Sequence, residues 1–326
     1  MRAPEFWHSG TQSLWPGLLE PVSHVWIAAG HWRQRHAHPY RSPVPVVCVG
    51  NLVAGGAGKT PTAIEVARRL LRHGRQPHLV TRGYGGKLHG PLRVEPQRHT
   101  ARLVGDETLL LAEVAPTWVA RDRASGVRAA AEAGADAVVL DDGHQNFTVQ
   151  KDLSLVVIDA AYGHGNGRVI PAGPLREPAA DGLARADGVV LIGDGPPEDG
   201  LLPARRDLPI LRARLAAGAN GSSLAGRRVL AFAGIGQPEK FFRTLKELGC
   251  TLALAHGFPD HHVYAPDEIM RLVEAAQGAG AIPVTTAKDW VRLSDEARAM
   301  IHKLDVALRF EDDGRLDELL ARVIRG

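Results

Sequence analysis

The chain has 326 residues, 44% hydrophobic and 23% charged, the balance of a globular protein with a sizeable core. Its formal charge of +3 comes from scattered arginines, which gives mild attraction to anions and does not single out nucleic acid. The two cysteines, Cys48 and Cys250, sit in separate apolar runs without metal-ligand spacing, so they read as buried thiols of a reducing compartment.

The first residues lack the basic-then-apolar order of a secretory signal. Residues 13–30, SLWPGLLEPVSHVWIAAG, are apolar but interrupted by Pro16, Glu20, Pro21 and His24. They fall short of the about 20 mostly apolar residues that a bilayer span needs. Trp15, Trp26 and Trp32, followed by HWRQRHAHPYR, form an aromatic and basic border. Two readings stay open: an amphipathic helix lying on the inner face of a membrane, or a helix packed on the protein body.

Downstream, short β-branched runs alternate with helical patterns, predicting a mainly parallel sheet with helices on both faces. Strands are expected at Val46–Val49, His78–Thr81, Thr117–Val119, Ala137–Leu140, Leu153–Ile158 and Gly188–Ile192. Between them, Ala63, Ile64, Ala67, Leu70 and Leu71 share one helical face, ended by Gly74. A Gly/Pro-rich loop, GDGPPEDGLLPARRD (193–207), breaks the rhythm. After a strand-like ILRARL, a second series follows: strands at Val229–Ala233, Thr251–Ala255 and Ile282–Thr285, helices near 238–248 and 266–276, and a last helix over 315–325. The expected layout is an N-terminal helical region (1–40), a P-loop NTPase-like core (41–200) and a smaller C-terminal α/β lobe (201–326), divided somewhere between 195 and 225.

The core's first strand runs into GGAGKTP and then a helix. Gly55, Gly56, Ala57, Gly58, Lys59, Thr60 and Pro61 form the expected nucleotide cradle: the glycines let backbone N–H groups curl around phosphates, Lys59 reaches the β/γ-phosphates and Thr60 suits Mg²⁺. The strict pattern asks for a further glycine where Val53 stands, at the exit from the strand and outside the anion-binding turn. ADAVVLDDGHQN delivers Asp141 and Asp142 at a strand's carboxyl end, where open α/β sheets bind ligands; paired carboxylates there point to a cation. Asp106 and Glu107 open a helix through Leu109–Val114, as a candidate base or as ordinary N-terminal acids. HGFPDHHVY packs His256, Asp260, His261 and His262 together, suiting a proton carrier; zinc is disfavoured because further ligands are absent nearby.

In combination these strings are specific. VGNLVAGGAGKTP (49–61), TRGYGG (81–86), VGDE (104–107), DR (122–123), VVLDDGHQ (138–145), PAGPLREP (171–178), FAGIGQPEKFF (232–242), FPDHHVY (258–264) and TTAKD (285–289) occur in the order of the tetraacyldisaccharide 4'-kinase family. The chain resembles that lipid A pathway family of Gram-negative bacteria over nearly its whole length, and the family's own loop also lacks the strict first glycine. The resemblance implies ATP- and Mg²⁺-dependent phosphorylation of the 4'-hydroxyl of an acylated glucosamine disaccharide at the cytoplasmic face of the inner membrane, with no obligate protein partner. Residue by residue, it implies Lys59 at the phosphates, Thr60, Asp141 and Asp142 at the metal, and Glu107 beside the metal or Asp106. Asp106 would take the hydroxyl proton, supported by His261 rather than His262. Arg82, Tyr84, Arg123 and Arg176 would contact the disaccharide or its phosphate.

From the residues alone, a membrane-recruited NTPase switch and a cytosolic small-molecule kinase are the rivals. The switch has no use for a separate proton acceptor. A guanine-reading Asn-Lys-x-Asp motif is also missing at Lys288 and Asp289, which are adjacent.

Overall fold

A computed structural model describes residues 4–8, 10–11, 13–193 and 207–324. In chain order, the strands are β1 (Val46–Gly50), β2 (Pro77–Thr81), β3 (Leu92–Arg93), β4 (Thr117–Val119), β5 (Ala137–Asp141), β6 (Leu153–Asp159), β7 (Gly188–Ile192), β8 (Ile210–Ala217), β9 (Arg228–Ala233), β10 (Thr251–Gly257), β11 (Ile282–Thr286), β12 (His302–Leu304) and β13 (Val306–Phe310). They form two sheets. The larger has nine strands in the order β13-β8-β7-β6-β1-β5-β2-β4-β3, and the smaller four in the order β10-β9-β11-β12. Strands β8 to β2, and β4 beside β2, run parallel; β13 and β3 are antiparallel edges.

The central strands are mostly apolar because helices cover both faces, with His78, Ser154 and Asp141 among the buried exceptions. In β1, Val46, Val47, Cys48 and Val49 are all buried, as a parallel sheet's interior requires. One covering helix, hereafter the loop helix (Lys59–Arg72), buries Ala63, Val66, Ala67 and Leu70, the face its spacing predicts. The smaller sheet has its own cores, one built on Val229, Ala231, Phe241 and Leu245 and the other on Leu230, Phe232, Ile269 and Val273.

The two-lobe expectation meets one difference. Strands β8 and β13 and the last helix (Asp313–Ile324) come from the segment assigned to the second lobe, yet they complete the first. Leu316, Leu319 and Leu320 join the large sheet's core, and Arg69 of the loop helix binds Asp313 and Asp317. The four-stranded lobe is therefore an insertion whose chain leaves and returns. β13 was invisible to pattern reading because it is a short, half-exposed edge strand. The Gly/Pro-rich loop lies outside the described residues except at its ends.

The N-terminal helix (Trp15–Arg35) is longer than its apolar stretch and lies against the body. Ser23 Oγ donates to the Val169 carbonyl at 2.7 Å, Trp26 Nε1 to the Arg176 carbonyl at 2.9 Å, and Ile27 packs on the main core. Its opposite side leaves Leu18, Val22, Val25 and Trp32 exposed, with Leu14 just before it. No helix among the described residues is long and apolar enough to cross a membrane.

Candidate active site

The glycine loop joins β1 to the loop helix at the carboxyl edge of the large sheet. Gly58 precedes the helix with φ of 86°, in the left-handed region where a side chain is strained, and an added Cβ would sit 2.5 Å from Ile192 Cδ1. Lys59 Nζ donates to the Gly55 carbonyl at 3.2 Å and lies 3.9 Å from Asp142 Oδ1. The missing glycine has a structural counterpart. Val53 is buried and bridges to Leu175, while Ala54 N–H donates to the Pro174 carbonyl and Arg176 N–H to that of Leu52. The strand exit is thus pinned to the PAGPLREP segment, and a side chain at position 53 is used for packing. The same pairing brings Arg176 Nη1 to 2.8 Å from Asp142 Oδ1.

Asp141 ends β5, facing Thr60, whose Oγ1 lies 3.5 Å from its Oδ2. Asp141 Oδ1 is buried without a hydrogen-bond partner. Burial first, then the carboxylates of Glu107 and Asp142, push the Asp141 carboxyl up to about 7. A buried oxygen lacking a donor, beside a hydroxyl and a second acid, fits a hard divalent cation. Among the described residues no group of three or more His, Cys, Asp or Glu side chains could cage an ion, so such a cation would depend on phosphate oxygens and water for its other ligands. Asp142 differs: burial opposes its charge, but Lys59 and Arg176 hold its carboxyl below the ordinary value.

The expected substrate arginines divide. Arg82 is exposed just past β2, and Tyr84 is 72% exposed with its ring 6.0 Å from that of His261. Arg123, expected at the disaccharide, is only 4% exposed; its Nη1 donates to the Ala120 carbonyl at 2.6 Å. Burial depresses its pKa while Asp142 and Asp141 support its charge.

Asp106 opens the short helix Asp106–Ala112. Its Oδ1 accepts the Glu107 backbone N–H at 2.8 Å, and its Oδ2 lies 3.0 Å from His261 Nδ1. Burial opposes its ionisation, but the hydrogen bond with His261 and the charges of Lys288 and Arg292 outweigh that and hold the carboxyl far below its usual range. His262, one residue on, faces away: its Nε2 lies 2.7 Å from Glu268 Oε2, and its ring stacks on Phe258 at 4.6 Å. His261 sits at φ of 60°, and this turn separates the two rings. Glu107 pairs with Lys288 Nζ at 3.3 Å. Burial works against the Lys288 ammonium, yet Glu107, Asp106 and Asp260 raise its pKa.

Pattern reading missed Arg292 and gave Lys288 and Asp289 no place in the site. Asp289 is fully buried, and its carboxylate accepts from Gly234 N–H and Tyr264 OH at 3.0 Å and Thr286 Oγ1 at 2.6 Å. Arg292 joins this cluster to Asp106. TTAKD was the available signal for Asp289 and Lys288; nothing local marks Arg292.

The family model described as tetraacyldisaccharide-1-P 4'-kinase matches residues 15–325. Proteins named tetraacyldisaccharide 4'-kinase from Rhodospirillum centenum and Rhodospirillum rubrum are 53% and 50% identical, each over 100% of this chain and 98% and 99% of their own. Among solved structures, LpxK from Aquifex aeolicus in complex with ATP is similar with a TM-score of 0.76 at 27% identity, over 95% of this chain and 99% of that one.

Proposed function

Because the chain belongs to the tetraacyldisaccharide-1-P 4'-kinase family, we propose that it transfers the γ-phosphate of ATP to the 4'-hydroxyl of a tetraacylated glucosamine disaccharide 1-phosphate, in lipid A biosynthesis. The observation that carries the site assignment is the 3.0 Å contact between Asp106 and His261, with Glu107 near enough to Asp141 to raise that carboxyl.

Phosphoryl transfer asks mainly for in-line placement and for stabilisation of charge on the moving group. Backbone amides of Gly55–Thr60 and the Lys59 ammonium hold the phosphates. Thr60 and Asp141 are the groups that would hold Mg²⁺, which supplies charge neutralisation when bound. Asp106, kept ionised by its neighbours, accepts the proton of the sugar hydroxyl, and His261 stabilises and orients that carboxylate. Arg82, Tyr84 and Arg176 line the approach for the acceptor and its phosphate.

The reading extends to location. The exposed stripe of Leu14, Leu18, Val22, Val25 and Trp32 supports docking of the N-terminal helix on the cytoplasmic face of the inner membrane, where an acylated acceptor is held. Arg33 and Arg35 in its last turn suit anionic headgroups.

The deciding assay supplies labelled ATP and the acceptor lacking its 4'-phosphate. Label should move to the lipid in proportion to enzyme. ATP consumption that is indifferent to the acceptor would overturn the reading in favour of an NTPase switch.

A further inference from the structure

Asp106 is loaded unevenly. Oδ2 receives Arg292 Nε at 3.0 Å and a close contact from Arg292 Nη2, besides lying against His261. Among the described residues, Oδ1 accepts the Glu107 amide and no other group. One oxygen is thus saturated, and the other keeps capacity for an incoming hydroxyl.

Arg292 is 7% exposed in its side chain and is itself held from behind. Its Nη1 donates to Asp289 Oδ1 at 3.0 Å and to the Gly234 carbonyl at 3.1 Å. That carbonyl also receives the His261 backbone N–H at 3.1 Å. The planar guanidinium therefore spans three fixed points: a buried aspartate and the histidine-bearing loop of the inserted lobe, and the acid of the core. A lysine ammonium carries the same charge but cannot hold this fork.

We infer that Arg292 is a positioning residue for phosphoryl transfer: anchored on Asp289, it fixes the Asp106 carboxylate and the His261 loop in one geometry, so that the acid–histidine pair is assembled when the inserted lobe meets the core. The inference rests on the reading of Asp106 as the proton acceptor. It differs from a purely mechanical bridge between lobes, because a bridge would tolerate Lys and would not respond to a small guanidinium ion.

The test measures kcat and KM for ATP in Arg292→Ala, Arg292→Lys and Asp289→Asn, with thermal unfolding as a control for folding. In Arg292→Ala, kcat should fall on the order of 100-fold while KM for ATP stays within about threefold. Arg292→Lys should recover little of that loss. Added guanidinium should restore about tenfold to Arg292→Ala and nothing to Asp106→Ala. Asp289→Asn should lower kcat in the same direction, and it serves with Arg292→Lys if the alanine variant does not fold. A kcat within about threefold of wild type in Arg292→Ala, with Asp106→Ala inactive, would remove Arg292 from this role and leave the proposed function standing. Loss confined to KM or to stability, with no guanidinium rescue, would also overturn it. Full activity in Asp106→Ala would instead remove the reading beneath the inference, and the inference with it.

Discussion

His261 Nδ1 meets Asp106 Oδ2 at 3.0 Å although the two residues are 155 positions apart, one opening a helix of the core and the other in the turn that follows β10 of the inserted lobe. Asp106→Ala should lower turnover on the order of 100-fold or more, with ATP affinity nearly unchanged, as for a group engaged in proton transfer and not in nucleotide binding. His261→Ala should cost on the order of tenfold. His262→Ala should leave turnover within about threefold, because its ring serves Glu268 and Phe258. Equal losses at the two histidines in steady-state assays would contradict this assignment.

The Asp141 carboxyl gives a pH dependence whose sign is fixed. Its folded value of about 7 lies above the ordinary carboxylate range, so between that range and pH 7 the folded state binds more protons than the unfolded state. The stability contribution is present at low pH and is lost as pH rises towards 7. A divalent cation competes with the same proton. Added Mg²⁺ with nucleotide should therefore raise the melting temperature more at about pH 8 than at about pH 6, and Asp141→Asn should flatten the difference. An unchanged pH profile in that variant, measured by calorimetry, would exclude Asp141 as its source.

Gly58→Ala tests the cradle. The left-handed backbone and the approach of Ile192 leave no relaxed place for a methyl group. ATP affinity should fall about tenfold or more, and stability by about 1 kcal/mol, read by nucleotide titration and urea midpoint. Wild-type affinity would mean that the turn does not hold phosphate.

The outer stripe of the N-terminal helix predicts a separable membrane function. Leu18 and Val25 are each 69% exposed, so replacing both with Glu should not disturb the core. Sedimentation with anionic vesicles should drop about tenfold, while activity on detergent-dispersed acceptor persists. Undiminished vesicle binding would assign the stripe to some other contact.

Arg69 should matter for folding alone. It is 3% exposed and ion-paired to Glu65 and Asp317 at 3.1 and 2.9 Å, tying the last helix to the loop helix. Arg69→Met should cost about 2 kcal/mol of unfolding free energy, largely from losing the ties to Asp313 and Asp317, since Glu65 keeps Arg72 at 2.7 Å. A urea midpoint equal to wild type would show that packing of Leu316, Leu319 and Leu320 suffices.

Much was legible in the chain itself. Six strands of the core, the glycine loop and the acids ending β5 are written in neighbouring residues, since apolar runs, turn glycines and a Lys-Thr pair act over one strand, one turn or one helix. The contact of His261 with Asp106 and of His262 with Glu268, the burial of Arg123 and the use of Val53 for packing were decided by tertiary structure. So were the return of 306–324 to the first sheet and the capture of Asp106 by Arg292, 186 positions away. Those contacts depend on the path of the chain between elements and on which charges burial leaves facing one another, and no local spacing encodes either.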